Sequence, residues 1–126
     1  MLHKLFYSFT LPLVKRYDWP FFYYNRCKSG ATGAGRGLSL GNHYCELNES
    51  VKAYKVASHR HTPEIEEQLS IAAGQDIVLN FTPHLIPMDR GILATCYATL
   101  NKKYTYDDIR KAYEKHYGNE HFIQTY

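Results

Sequence analysis

Thr62-Pro63-Glu64 opens a helix signal and Gly74 closes it, and everything else in the chain is read around that segment. Thr62 suits the N-cap, Pro63 suits the first helical position, and Glu64 and Glu66 lie at the positive end of the helix dipole. Ile65, Leu69 and Ala72 recur on one face, so the spacing predicts an amphipathic helix over 62–73. Two histidines, His59 and His61, stand directly before it on a loop that a rigid element aims. An imidazole titrates near neutral pH, which suits general acid–base chemistry. The plain alternative is a surface loop whose histidines carry no chemistry.

Strand and helix signals alternate along the remainder. Val51–Val56 reads as a strand, and Ile77–Phe81 reads as a buried one. Residues 82–90 contain Pro83 and Pro87 and read as a loop. In Ile92–Leu100, Ile92, Ala94, Cys96, Ala98 and Leu100 share one face, and Leu93, Thr95, Tyr97 and Thr99 the other. A second helix is expected over 106–117, capped by Thr105 with Asp108 three residues on and ended by Gly118. Its inward face is Ile109, Ala112, Tyr113 and His116, and a short strand at Phe122–Thr125 follows. This order implies an α/β or α+β fold around a mixed β-sheet with flanking helices.

At 126 residues the chain is one domain at most, large enough to bury a core. Hydrophobic residues at 44% and charged residues at 21% fit a globular protein, and a net charge of +3 does not by itself call for nucleic acid. No run is long enough to span a bilayer. Residues 5–14 imitate a signal-peptide core, but Lys15-Arg16 follows at once and no small-residue cleavage site appears. Three cysteines, Cys27, Cys45 and Cys96, form no CxxC pair and fit a reducing, cytoplasmic setting. Residues 1–26 differ from the rest: they hold nine of the nineteen aromatics and one acid, Asp18.

Ser29–Gly37 places four glycines and Arg36 within nine residues. Glycines let a backbone approach a ligand, successive amides make an anion nest, and Arg36 adds a bidentate contact to phosphate or carboxylate. The spacing is neither a P-loop nor a dinucleotide fingerprint, and a flexible loop has the same composition. His59, His61 and His84 lack a third ligand at characteristic spacing, so no metal is expected. Cys96 falls on the small apolar face of its strand, where a thiolate is disfavoured, and is read as structural.

Four motifs in order carry a family resemblance: Lys28-Ser29-Gly30 through Gly33-Ala34-Gly35-Arg36; His59-Arg60-His61-Thr62-Pro63-Glu64-Ile65; Phe81-Thr82-Pro83-His84-Leu85-Ile86-Pro87; and Arg90-Gly91-Ile92-Leu93-Ala94-Thr95. With Tyr117–Ile123 they resemble N-acetyl-gamma-glutamyl-phosphate reductase from about Lys28 to Ile123. The resemblance implies part of the α+β catalytic and dimerisation domain of semialdehyde and glyceraldehyde-phosphate dehydrogenases. It implies NADP-dependent reduction of an acyl phosphate, N-acetyl-glutamyl phosphate, in arginine biosynthesis, by a homo-oligomeric enzyme. In that family a cysteine forms a thioester that hydride reduces, and a histidine exchanges the protons. His59 matches that histidine; His61 and Tyr54 fall on the substrate side; Arg36 faces the phosphate, and Ser29-Gly30 the phosphate or cofactor region.

Departures accompany the matches. The Rossmann domain and the family's nucleophilic cysteine motif have no counterpart in the sequence, so the chain is expected to be inactive alone. Cys96-Tyr97-Ala98-Thr99 imitates that motif but falls in the wrong place. A truncated or frame-shifted reading accounts for residues 1–26. A dimerisation or interaction module derived from the domain is the alternative reading. Nucleic-acid binding through Lys4, Lys15, Arg16 and Arg26 has no fold signature behind it, and neither nucleic acid nor membrane is expected as a partner. The proton-exchange reading requires that the His59 ring not be shut among apolar side chains far from the Arg36 turn.

Overall fold

The computed structural model describes residues 23–126 except Asn101; of the stretch 1–26 expected to be foreign to the domain, residues 1–22 lie outside them and residues 23–26 lie within. The described residues divide into two units. One holds residues 23–62 and 79–97 and contains the sheet; the other holds residues 63–78 and 98–126 and is helical.

Four strands form one mixed sheet: β1 (Tyr23–Ser29), β2 (Lys52–Ala53), β3 (Leu79–Leu85) and β4 (Ile92–Ala98), in the order β2-β3-β1-β4. β1 and β3 run parallel with Asn25 opposite Phe81 and Cys27 opposite Pro83, while β2 is antiparallel to β3. Parallel neighbours cannot be joined by a hairpin, and the crossover here is the long segment between β1 and β3. The alternation expected of a half-buried sheet is present. Asn25, Cys27 and Ser29 are buried on β1 with Arg26 exposed between them, and Leu79, Phe81 and Pro83 are buried on β3.

Pro83 accounts for two departures from the sequence reading. β3 runs on to Leu85 through a proline that was expected to start a loop, and the loop begins only after Leu85. In a strand the N and C=O of one residue point to the same side, and the Pro83 carbonyl accepts from the Tyr54 N–H at 3.0 Å. The missing donor therefore faces the β2 edge rather than β1, where its loss costs no bond to a long strand. The same fact limits β2. Opposite Pro83 no return bond is available, and Lys55 and Ala57 then take left-handed φ values of 46° and 53°, so the expected strand over 51–56 shrinks to two residues.

Both long helices fall where the periodicity puts them, in the helical unit. α2 (Thr62–Ala73) buries Ile65 and Leu69 and stops at Gly74, whose φ of 69° favours glycine. Its first turn differs in one detail: the buried Thr62 hydroxyl makes no capping bond and has no hydrogen-bond partner among the described residues. α3 (Tyr106–Tyr117) carries the expected capping box, with the Asp108 N–H donating to Thr105 Oγ1 and the Thr105 N–H to the Asp108 carboxylate. Ala112 is its buried centre and Ile109, Tyr113 and His116 are half-buried. The strand expected at 122–125 is absent. That segment turns through the bonds from Glu120 N–H to Tyr117 O and from Ile123 N–H to Glu120 O, and no described strand pairs with it. A one-turn helix, α1 (Tyr44–Leu47), was not anticipated; its four residues are too few to show a period.

Candidate functional site

His59 sits at the end of a tight turn. Ser58 N–H donates to Lys55 O at 3.1 Å, and Thr62 N–H donates to His59 O at 2.9 Å as α2 begins. Three rings surround the imidazole edge-on: His61 at 5.0 Å, Phe81 at 5.1 Å and Tyr54 at 5.7 Å between centroids. The His61 backbone N–H donates to His59 Nδ1 at 3.2 Å. Only 8% of His59 remains exposed. Burial pulls its pKa below the usual histidine value, and the nearby charges of His61, Lys55 and Arg60 pull it in the same direction.

Tyr54 is half-buried; burial raises its phenol pKa, and the Cys27 thiol nearby raises it further. Cys27 itself is fully buried in β1. Desolvation, then the neighbouring Cys96, push its thiol up to about 11 against the opposing pull of Lys28. A thiol held protonated is not a nucleophile at neutral pH. All three cysteines are free: Cys27 buried, Cys45 exposed and Cys96 half-buried. His84 lies one residue out of step with Phe81 and Pro83, on the other face of the sheet from the His59 cluster, with Nδ1 3.1 Å from Thr82 O. Among the described residues no group of three or more His, Cys, Asp or Glu is placed to hold a metal.

The glycine-rich loop has an anchored half and an open half. Gly30, Ala31 and Thr32 donate their N–H groups to Gly91 O, Met88 O and Asp89 O at 3.0, 2.9 and 3.1 Å, and the Thr32 hydroxyl adds a 2.7 Å bond to Asp89 O. Gly30 is required there, because a Cβ would lie 2.8 Å from Asp89 O. Beyond Gly35 the loop rises into solvent around a cavity of about 790 Å³ lined by Arg36, Thr32, Ser39, Asn42, His43 and Tyr44, among others. Arg36 is exposed and makes no ion pair or hydrogen bond among the described residues.

The residues singled out from sequence thus form two groups. Tyr54, His59 and His61 come together, joined by Phe81, which the sequence placed in a buried strand and a family motif but not beside the histidines. Arg36 lines a different cavity, whose walls include none of those three. His43 and Tyr44 join Arg36 there, a neighbourhood that no local sequence signal marks. Ser29 and Gly30 were expected to face a cofactor. Both are buried, the Gly30 N–H is taken by Gly91 and the Ser29 hydroxyl donates to Gly30 O at 3.2 Å, so neither of these donors is free for a cofactor. Their part in the structure is to anchor the loop.

Residues 10–126 match the model of the family described as semialdehyde dehydrogenase, dimerisation domain. The chain belongs to that family. Within it, the chain is similar to proteins named N-acetyl-gamma-glutamyl-phosphate reductase, as the ordered motifs imply. The relative from Lachnospira eligens is 59% identical over 98 residues, 77% of this chain and 28% of the relative. Those from Syntrophobacter fumaroxidans and Campylobacter jejuni are each 57% identical over 97 residues, with the same coverage. The chain therefore spans about 28% of the length of the curated relatives it matches. No helix among the described residues is long and apolar enough to cross a membrane.

Proposed function

We propose that this semialdehyde dehydrogenase dimerisation domain carries the proton-handling part of an N-acetyl-gamma-glutamyl-phosphate reductase site, with His59 as the residue that serves the reacting carbonyl. The observation behind this reading is the placement of the His59 ring, clasped by Tyr54, His61 and Phe81 on a turn that two left-handed residues shape. A ring fixed in this way needs no reorganisation when a substrate arrives. Two of its three ring neighbours, Tyr54 and His61, are polar, which favours the role; Arg36 lines a different cavity, which does not. Arg36, exposed and unpaired, supplies a cation for a phosphate or carboxylate in its own cavity. NADP supplies hydride when bound to the complete enzyme. The Gly30 N–H and the Ser29 hydroxyl proton are already engaged and do not fit as its donors.

Substituting the residue equivalent to His59 by Ala in a full-length relative is expected to lower turnover by roughly 10²–10⁴-fold, the usual cost of losing a general acid–base. Unchanged turnover would reject the assignment. This chain alone is expected to reduce nothing with NADPH, because Cys27 is held as a thiol and no activated cysteine stands beside His59 among the described residues.

Part of residues 1–26 is proposed to be other than the domain's own sequence, although the family match begins at residue 10. Asn25, fully buried in β1 with neither side-chain atom hydrogen-bonded, supports this, since a fitted strand places an apolar residue there. Coding DNA in which no alternative frame yields a family-like strand before Lys28 would sink the idea. The family's designation as a dimerisation domain favours a second reading, an interaction module that forms a homodimer. A chain that stays monomeric by sedimentation at high concentration excludes it.

A further inference from the structure

His59 is buried and Tyr54 half-buried, yet the residues between them, Lys55, Val56, Ala57 and Ser58, are all exposed. The two rings stand 5.7 Å apart between centroids, whereas an extended backbone would separate the Cα atoms of 54 and 59 by about 17 Å. What folds the segment back is a turn in which the Ser58 N–H donates to Lys55 O at 3.1 Å. Within it Lys55 and Ala57 have φ values of 46° and 53°, and Glu49 is the only other non-glycine among the described residues with a positive φ. A positive φ at the third position of such a turn favours glycine or asparagine, and here alanine holds it. We propose that Lys55 and Ala57 are positioning residues for His59 through backbone conformation alone: their left-handed geometry stands the imidazole against Tyr54 and Phe81, and their side chains take no part. This rests on the reading of His59 as the working residue of the site, and it names what aims the ring.

A left-handed backbone is uncommon outside glycine, because Cβ crowds the neighbouring carbonyl, and two such residues within three persist only where the surroundings hold them. Both ends of this turn are held. The Tyr54 N–H donates to Pro83 O at 3.0 Å and fixes the entry on the sheet, while the Thr62 N–H donates to His59 O at 2.9 Å and fixes the exit at the start of α2. The side chains of Lys55 and Ala57 are exposed and make no hydrogen bond or ion pair among the described residues, so packing does not explain their conformation. The Lys55 charge does reach His59, where it disfavours the imidazolium, and a neutral residue with the same backbone tolerance separates charge from conformation. Were Ala57 to return to a negative φ, the peptide after it would rotate and the chain would leave the turn in another direction. The ring two residues on would then leave its place against Phe81, and a misplacement of about 1 Å at a reacting group costs up to about 10²-fold in rate.

The test is the proton spectrum of the His59 ring in this chain, shifted by the ring currents of Tyr54 and Phe81 and assigned by the signal missing from His59→Gln, with chemical denaturation run beside it. Ala57→Gly, Ala57→Asn and Lys55→Asn suit a left-handed backbone and are expected to keep the shifted signal. Ala57→Val, close to asparagine in bulk but β-branched, is expected to lose it while unfolding stays cooperative. Retention of the signal in Ala57→Val, or its loss in Ala57→Asn or Lys55→Asn, would overturn the proposal. If Ala57→Val does not fold, the equivalent change in a full-length relative decides. A kcat lower by about 10–10²-fold at an unchanged KM supports the turn as the aiming device, and an unchanged kcat refutes it. The spectrum and the turnover of the His59-substituted relative fail independently. A relative that ignores the loss of its histidine rejects the functional reading whatever the spectrum, and a ring signal indifferent to the turn rejects only the positioning role.

Discussion

The His59 cluster and the open half of the glycine-rich loop belong to the same unit and are built in opposite ways. Around His59 every degree of freedom is spent before a ligand comes: the turn is set by left-handed residues, three rings hold the plane, and a backbone amide holds one nitrogen. Around Arg36 almost nothing is set. The side chain is exposed and makes no pair among the described residues, and a Cβ added at Gly35, Gly37 or Gly41 meets no atom within 4 Å. Preorganisation suits a group that must present a fixed atom to a reacting centre, whereas a mobile cation suits capture of a charged group that arrives in many orientations.

The contrast breaks most visibly at Phe81. Phe81→Ala removes the platform under His59 and is expected to cost about 3–5 kcal/mol in chemical denaturation. A loss below about 1 kcal/mol would mean that the cluster is not packed as described. Thiol labelling ranks next. Cys45 is exposed and should react quickly with a disulfide reagent, while Cys27, buried and pushed up to about 11, should react slower by roughly two orders of magnitude or more. Equal rates for the two would show that β1 opens freely.

Within the loop, Gly30→Ala tests the anchored half, and steric overlap with the Asp89 backbone should cost about 1–3 kcal/mol. Gly37→Ala tests the open half and should change stability by no more than about 0.5 kcal/mol. Similar values at the two positions would erase the distinction between the halves. The smallest effect concerns acid. The folded pKa of His59 lies below its unfolded value of about 6.5, so the unfolded chain binds the proton first. Stability should therefore begin to fall as pH drops through about 6.5 and level off below the folded pKa, and His59→Gln should lack that component. The same acid loss in both proteins would place the titrating group elsewhere.

Residues whose role is local were legible from the chain itself. Thr105 with Asp108, the Ile65–Leu69 stripe and Gly74 each act within a few residues, and both long helices lie where those signals put them. The strands were less legible, because their limits depend on partners. Pro83 looks like a loop residue until its bare nitrogen is seen to face a two-residue edge, and 122–125 looks like a strand until no neighbour pairs with it. In the candidate site, the histidine pair and the glycine loop were visible as motifs. Phe81 under the ring and His43 and Tyr44 beside Arg36 were not, since nothing short-range links positions so far apart.

What the amino-acid order determined alone was the helices, the family and the residue types that bear chemistry, because capping, periodicity and motif spacing are short-range properties. The tertiary structure decided what those residues can do. It buried Ser29 and Gly30 as anchors, kept Cys27 a thiol, placed Arg36 in a cavity that Tyr54, His59 and His61 do not line, and gave His59 Nδ1 a backbone donor. Each of these outcomes depends on desolvation or on a hydrogen bond, and both are set by neighbours that only the folded chain assembles.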